Sequence, residues 1–221
     1  MHQYQLLTFG SKFGIIPSEN SRSPASFTAE GYDTGYSFLS RKSRRTLTFT
    51  QFKQLQHHYK TIHSTNGHFD DQEFNHMDPE IEVWHRCRVG QSIFHCKESQ
   101  RRNSRRLNYL ACITHQVDTN AHVSYNRRPE NLVPRNDYVY IQFYGVHRFR
   151  GQAQMVMYSE YRKFSEHDGL VEDIGSRFFG FQDIVVLDHL CARVPGAGNK
   201  IYFVEERIAM EERLRKALGV R

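Results

Sequence analysis

The sequence predicts a mainly β domain of the α+β class, an antiparallel barrel with one helix before it and one after it. From residue 80 onward, several runs alternate apolar and polar side chains with a period of two, as half-buried strands do. Aromatic residues make up 13% of the chain, which suits a small barrel packed by Tyr and Phe. Apolar residues recur at helical spacing near 49–62 and again near 207–218.

The first helix has a clear start signal. Thr48 and Gln51 are spaced as a capping box, and Leu47 and Phe52 are spaced as a hydrophobic staple. One apolar face then follows, formed by Phe49, Phe52, Leu55, Tyr59 and Ile62. In the terminal helix, Met210, Leu214 and Leu218 share a face.

The strand signals favour hairpins joined by glycine turns. Strands are predicted at 80–89, 91–96, 107–117, 137–150, 152–161, 184–194 and 200–205. Gly151 and the pair Gly196 and Gly198 suit hairpin tips. Residues 126–136, which contain Pro129 and Pro134, are predicted to connect two groups of strands.

These patterns divide the chain into three parts. Residues 1–46 are rich in Ser, Gly and Arg and are predicted to be a flexible leader whose deletion leaves stability nearly unchanged. Residues 47–125 hold the first helix and the first strands, and residues 137–221 hold the barrel and the terminal helix.

The formal charge of +6 favours a polyanionic partner, and its excess lies in residues 1–151. Arg101, Arg102, Arg105 and Arg106 are predicted to cap a hairpin between strands 91–96 and 107–117, where their guanidinium groups would clamp phosphates. A solvated loop without a partner is the alternative. The run Arg41, Lys42, Arg44 and Arg45 resembles a nuclear-import signal or a DNA-binding arm.

No metal, cofactor or catalytic site is predicted. His85, Cys87, His95 and Cys96 could converge if their two strands pair, but His85 and Cys87 share one strand face, which is typical of ordinary core, and Cys87 and Cys96 belong to no C-x-x-C pair. The four cysteines suit a reduced, intracellular protein. Asp188 follows an apolar run as a nuclease carboxylate would, without a second acid at a strand end. Neither a signal peptide nor an apolar stretch of membrane-spanning length is present, so no membrane partner is expected.

Residues 137–206 resemble a bromo-adjacent-homology (BAH) or SH3-like module. The resemblance rests on the runs 139–149, 155–162 and 181–190, which look like its opening, paired and closing strands. The wider layout of 47–206, with its Trp/His/Arg segment at 83–88 and its Ser/Asn/Arg stretch at 103–109, resembles accessory regions of fungal DNA-transposon-encoded proteins. The BAH resemblance implies an aromatic pocket, for which Tyr140, Tyr144, Tyr158 and Tyr161 are the candidates.

The sequence thus predicts a nuclear, non-catalytic adaptor that binds nucleic acid or a chromatin protein, possessing no enzymatic activity. Two other hypotheses stay open. One is a fragment of a metal-dependent nuclease or transposase that uses Asp188, and the other is a domain that binds only proteins. The pattern does not determine an oligomeric state.

Overall fold

The computed structural model describes residues 26–39, 43–63, 74, 76–99, 109–118, 132–167 and 170–205. Within these ranges lie helix α1 (Phe49–His63) and twelve strands. The strands are β1 (Ser26–Phe27), β2 (Tyr36–Leu39), β3 (Ser43–Thr46), β4 (Glu80–Trp84), β5 (Arg86–Val89), β6 (Ser92–His95), β7 (Leu110–Asp118), β8 (Leu132–Phe149), β9 (Gln152–His167), β10 (Leu170–Asp183), β11 (Leu187–Pro195) and β12 (Ile201–Glu205).

The strands form two antiparallel sheets, one of which closes into a barrel. The four-stranded sheet has the order β1-β2-β5-β6, and the eight-stranded sheet has the order β3-β4-β8-β7-β11-β12-β10-β9. Because β8 also pairs with β9, strands β7 to β12 make a closed six-stranded ring. This confirms the prediction of a mainly β protein with a small antiparallel barrel.

The smaller of two hydrophobic clusters fills the barrel. Its buried members come from β7, β8, β11 and β12, and Phe164 of β9 and Val171 of β10 pack against them. The Tyr138 ring on β8 stacks on the Phe203 ring on β12, with centroids 4.8 Å apart. Since β8 and β12 lie opposite each other in the ring, this contact crosses the barrel interior.

The larger core uses the second half of β8. A register shift between Ile141 and Phe143 marks a bulge in the pairing of β8 with β9. Such a bulge changes the face to which the following side chains point. Beyond it, the fully buried Tyr144 packs on Phe38 of the four-stranded sheet, and their ring centroids lie 5.5 Å apart.

Helix α1 begins as predicted. The Thr48 amide donates to Gln51 Oε1 at 3.1 Å, and the Gln51 amide donates to Thr48 Oγ1 at 3.3 Å, which is a capping box. Leu55 and Tyr59, on the inner face of the helix, are fully buried. The sequence therefore predicted the start of this helix and part of its buried face, but Phe49, which was assigned to that face, is 77% exposed.

One close approach between β4 and β8 requires a glycine. Gly145 lies opposite Val83, and a Cβ atom at this position would overlap the side chain of Ile81. Ile81 is itself almost fully buried, so it has little room to move.

Part of the segment predicted as a flexible leader belongs to the fold. Residues 26–39 and 43–46 form β1, β2 and β3, while residues 1–25 lie outside the described part. Phe38 is completely buried and packs against Trp84 as well as Tyr144. The Ser and Gly content of the whole segment concealed this cluster of aromatic residues, and the prediction that residues 1–44 add little to stability needs correction.

Several strand boundaries also differ from the prediction. The run 80–89 breaks at His85 into β4 and β5, which belong to different sheets. Pro134, assigned to a connector, lies within β8 opposite Gln116. Residues 184–186 form a 3₁₀ turn before β11, and strand β10 was not predicted.

The hairpin tips at Gly151 and Gly198 are confirmed, with φ of 77° and 67°. The predicted terminal helix at 207–218 lies outside the described residues. Within the described part of the chain, none of the helical structure is long and apolar enough to cross a membrane.

Replacing Phe38 with Ala tests the role of β2. We expect the free energy of unfolding to fall by about 3–5 kcal/mol, as for other buried Phe to Ala changes. Chemical denaturation measures this, with Ile93→Ala as the control because Ile93 is 38% exposed on β6. A loss from Phe38→Ala no larger than that of the control would restore the leader prediction.

Stability should also fall as the pH drops below about 6.5, the ordinary pKa of histidine. Burial lowers the pKa of His147 in the folded protein, although its hydrogen bond to the Asp78 carbonyl opposes this shift. The unfolded chain therefore takes up a proton first on acidification, so stability present above pH 6.5 is lost below it. His95, whose pKa burial also lowers, adds an effect of the same sign.

Denaturation at pH 7.5 and pH 5.5 measures this loss. His147→Gln should reduce the difference between the two pH values, whereas His57→Gln should not, because His57 is exposed on α1. An undiminished pH difference in His147→Gln would contradict the assignment.

Candidate nucleic-acid interface

The arginine cluster at 101–106 lies outside the described residues, but its flanks are placed. Strand β6 ends at His95, a 3₁₀ turn spans Lys97–Ser99, and β7 begins at Leu110. Strand β6 pairs with β5 in the four-stranded sheet, whereas β7 pairs with β8 and β11 in the barrel. Strands β6 and β7 therefore belong to different sheets, and the predicted hairpin between these two strands is not formed.

The second basic run is partly built into the fold. Arg41 and Lys42 lie outside the described residues, and Arg44 and Arg45 lie in β3. Arg45 Nη1 donates to Glu98 Oε1 at 2.8 Å, and its guanidinium carbon lies 4.0 Å from the centroid of the Phe143 ring. Arg44 is exposed and lies 3.9 Å from Glu82 Oε1. Arg45 is thus packed against the folded domain, unlike a residue of a flexible DNA-binding arm.

The four candidate tyrosines are all buried and are divided between the two cores. Tyr140 belongs to the barrel cluster, and Tyr144, Tyr158 and Tyr161 belong to the larger core. The structure does not bring the four rings into one pocket. Burial raises the pKa of Tyr140 and Tyr158, as expected for phenols held in a hydrophobic interior.

An ion network neutralises the arginines inside the barrel. Arg162 binds Glu160 at 2.6 Å and Asp173 at 2.9 Å, and Arg193 Nε lies 3.9 Å from the same Asp173. The Asp173 side chain is 1% exposed. A carboxylate at this depth requires its cations nearby, because an unpaired buried charge costs several kcal/mol, on the order of 3–5. Arg162, which is largely buried and binds both carboxylates, therefore stabilises the fold, whereas Arg193 is 37% exposed.

Strand β10 presents an aromatic and basic surface that the sequence analysis missed. Its pairing with β9 shifts register twice, between Asp173 and Gly175 and between Ser176 and Phe178. Phe178 is 44% exposed, and its ring stacks on buried Tyr161 with centroids 4.3 Å apart and planes 16° apart. The Arg177 guanidinium lies 5.2 Å from the Phe178 ring.

Lys163 completes what we call the bulge platform, defined as Lys163, Arg177 and Phe178. Lys163 is exposed and pairs with Gly175 across the hairpin. The platform combines a rigid, half-exposed ring with two cations. This is the arrangement with which proteins stack bases and contact phosphates of single-stranded nucleic acid.

A second exposed ring adjoins the platform beside helix α1. Phe179 is 39% exposed and stacks on Tyr158, and its carbonyl accepts a hydrogen bond of 2.8 Å from Gln54 Nε2. At the start of the same helix, Phe49 is 77% exposed, and Lys53 Nζ lies 5.7 Å from the centroid of its ring. The consecutive residues Arg-Phe-Phe at 177–179 are the one sequence feature that could have indicated this aromatic and basic surface.

Strands β5 and β6, which carry the His and Cys residues considered for a metal site, pair with each other. Burial raises the pKa of the Cys96 thiol to about 11 and also raises that of Cys87. Asp188 accepts a hydrogen bond of 2.9 Å from Thr114 Oγ1 and lies 3.4 Å from His189 Nδ1. The described ranges contain no group of three or more His, Cys, Asp or Glu residues able to hold a metal ion.

The fold and site define a mainly β, six-stranded antiparallel barrel protein with an exposed aromatic and basic strand. No known protein family, curated protein or solved structure matches this chain. The resemblances to BAH or SH3-like modules and to transposon-encoded proteins stay predictions.

Proposed function

We propose that this chain is a non-catalytic adaptor that binds single-stranded nucleic acid, with bases stacked on the bulge platform. The observation that carries the proposal is the Phe178 ring, which is held on Tyr161 yet 44% exposed. A ring already fixed in the free protein loses little side-chain entropy when a base stacks on it. Arg177 lies against this ring, and Lys163 is exposed on the neighbouring strand β9, where both cations are available to phosphates.

The phosphate contacts of this proposal come mainly from the basic segments. Many cations of the barrel are paired with carboxylates, as Arg162 is with Asp173 and Lys200 with Glu172. Arg101, Arg102, Arg105 and Arg106, together with Arg41 and Lys42, would then supply the positive charge that attracts a polyanion. In this division of roles, the barrel stacks bases and adds the phosphate contacts of Arg177 and Lys163, and the basic segments supply the other backbone contacts.

A nuclear location and a chromatin-associated partner belong to the same proposal. They rest on the basic composition of the chain and on the basic run that begins at Arg41. Because Arg45 is bound to Glu98, the part of that run that favours nuclear import is Arg41, Lys42 and the exposed Arg44.

Replacing Phe178 with Ala should weaken binding to a labelled single-stranded oligonucleotide. Stacking of one base contributes about 1–3 kcal/mol, so affinity should fall roughly 5- to 100-fold. Fluorescence anisotropy measures this. Phe178→Trp should retain binding, and Val194→Ala, at a position 42% exposed on β11, serves as the control. Equal affinity of Phe178→Ala and wild-type protein would refute a stacking site at this position.

Replacing Arg101, Arg102, Arg105 and Arg106 with Ala should reduce the dependence of affinity on salt. If each arginine contacts one phosphate, the slope of log affinity against log salt should fall by about 3 units. Lys200→Ala is the control, because Lys200 is already bound to Glu172 at 2.9 Å. The same slope in the quadruple variant and the wild type would exclude phosphate contacts by this cluster.

A further inference from the structure

A groove of about 670 Å³ lies between the loop 27–32 and the β8–β9 hairpin tip. Phe27, Tyr32, Gln152 and Gln154 are among the residues that line it. Gly31 and Gly151, both with positive φ and open space beside them, form the two turns that flank it. The groove is separate from the bulge platform and is not used by the proposed function.

Asp183 places a carboxylate in the lining of the groove. Its carboxylate accepts a hydrogen bond of 2.8 Å from the Tyr32 hydroxyl and one of 3.0 Å from the Val185 amide. These bonds fix the carboxylate at the end of β10. An ionised carboxylate accepts about four hydrogen bonds, so roughly two positions remain for a ligand.

The Asp183 carboxylate has no cationic partner within ion-pair distance in the described part of the chain. Burial raises the pKa of this carboxyl above its usual value, and the hydrogen bonds from Val185 and Tyr32 offset only part of that rise. The other charged side chains that line the groove are Glu30 and Arg148, and Arg148 forms no ion pair with Asp183. Two carboxylates against one guanidinium leave the groove negatively charged, and a partly buried, unpaired charge is stabilised by a cation.

Two aromatic rings in the wall suit the same ligand. Phe27 stacks on Trp84 with ring centroids 6.0 Å apart, which fixes its position. Tyr32 is held by Asp183 and by the Met155 amide, which donates to its hydroxyl at 3.0 Å. Cations bind favourably against such rings when a carboxylate is close.

We propose that this groove binds an ammonium or guanidinium group against the Asp183 carboxylate. The group is supplied either by a basic side chain of a polypeptide or by a free polyamine. The negative charge that favours this ligand disfavours phosphate, so the groove and the bulge platform select different molecules.

Titration of the full chain with Nα-acetyl-arginine amide, Nα-acetyl-lysine amide and spermidine tests the proposal. We expect saturable NMR shifts of the Tyr32, Gly151 and Gln154 amides. Tighter binding of either amino-acid amide than of spermidine indicates a polypeptide side chain, and the reverse indicates a polyamine. Absence of saturable shifts with all three probes overturns the proposal.

Asp183→Asn should weaken binding at least tenfold, because it removes the charge while its amide oxygen still accepts from Val185. Asp188→Asn, at an exposed carboxylate on β11, should leave the affinity unchanged. Equal weakening by both variants, or by neither, overturns the assignment to Asp183.

A second pair of variants avoids any effect on folding. Gln152 is exposed on the groove wall. Gln152→Glu should tighten binding and Gln152→Lys should weaken it, each by about threefold at low salt. Affinities that do not follow the sign of the added charge overturn the proposal even if Asp183→Asn fails to fold.

Discussion

Strand β8 is shared by both cores, and the rest of the fold depends on its continuity. Its first half pairs with β7 and places Tyr138 and Tyr140 inside the barrel. Beyond the bulge between Ile141 and Phe143, it pairs with β4 and places Tyr144 against the four-stranded sheet. One backbone therefore fixes the barrel, the second sheet and, through its pairing with β9, the hairpin that carries the platform.

Sequence periodicity predicted those helices and strands in which the apolar residues of the local pattern are also the ones buried in the fold. Helix α1 has the predicted capping box, and Leu55 and Tyr59 of its predicted apolar face are buried. Strand β10 escaped prediction because Gly175 and two register shifts interrupt its alternation. Phe38 escaped because its burial depends on distant partners, Trp84 and Tyr144, whose positions a local window does not contain.

The candidate sites were less predictable than the fold. Charge density selects Arg45 as readily as Arg177, yet Arg45 is bound to Glu98, and Arg177 lies on an exposed ring. Aromatic content likewise suggested Tyr161 as a ligand-binding ring, although Phe178 covers it. The decisive information is a tertiary contact, such as that of Arg45 with Glu98 in the turn at 97–99 or that of Tyr161 with Phe178, and a local sequence window does not contain such contacts.

The contact between Gly145 and Ile81 has a consequence for how this protein can diverge. The two positions share one small volume, so a side chain larger than hydrogen at 145 fits only if position 81 becomes smaller. Related sequences should therefore keep the Gly and Ile pair or change both positions together. Such paired substitution would identify distant relatives of this fold where overall identity has been lost.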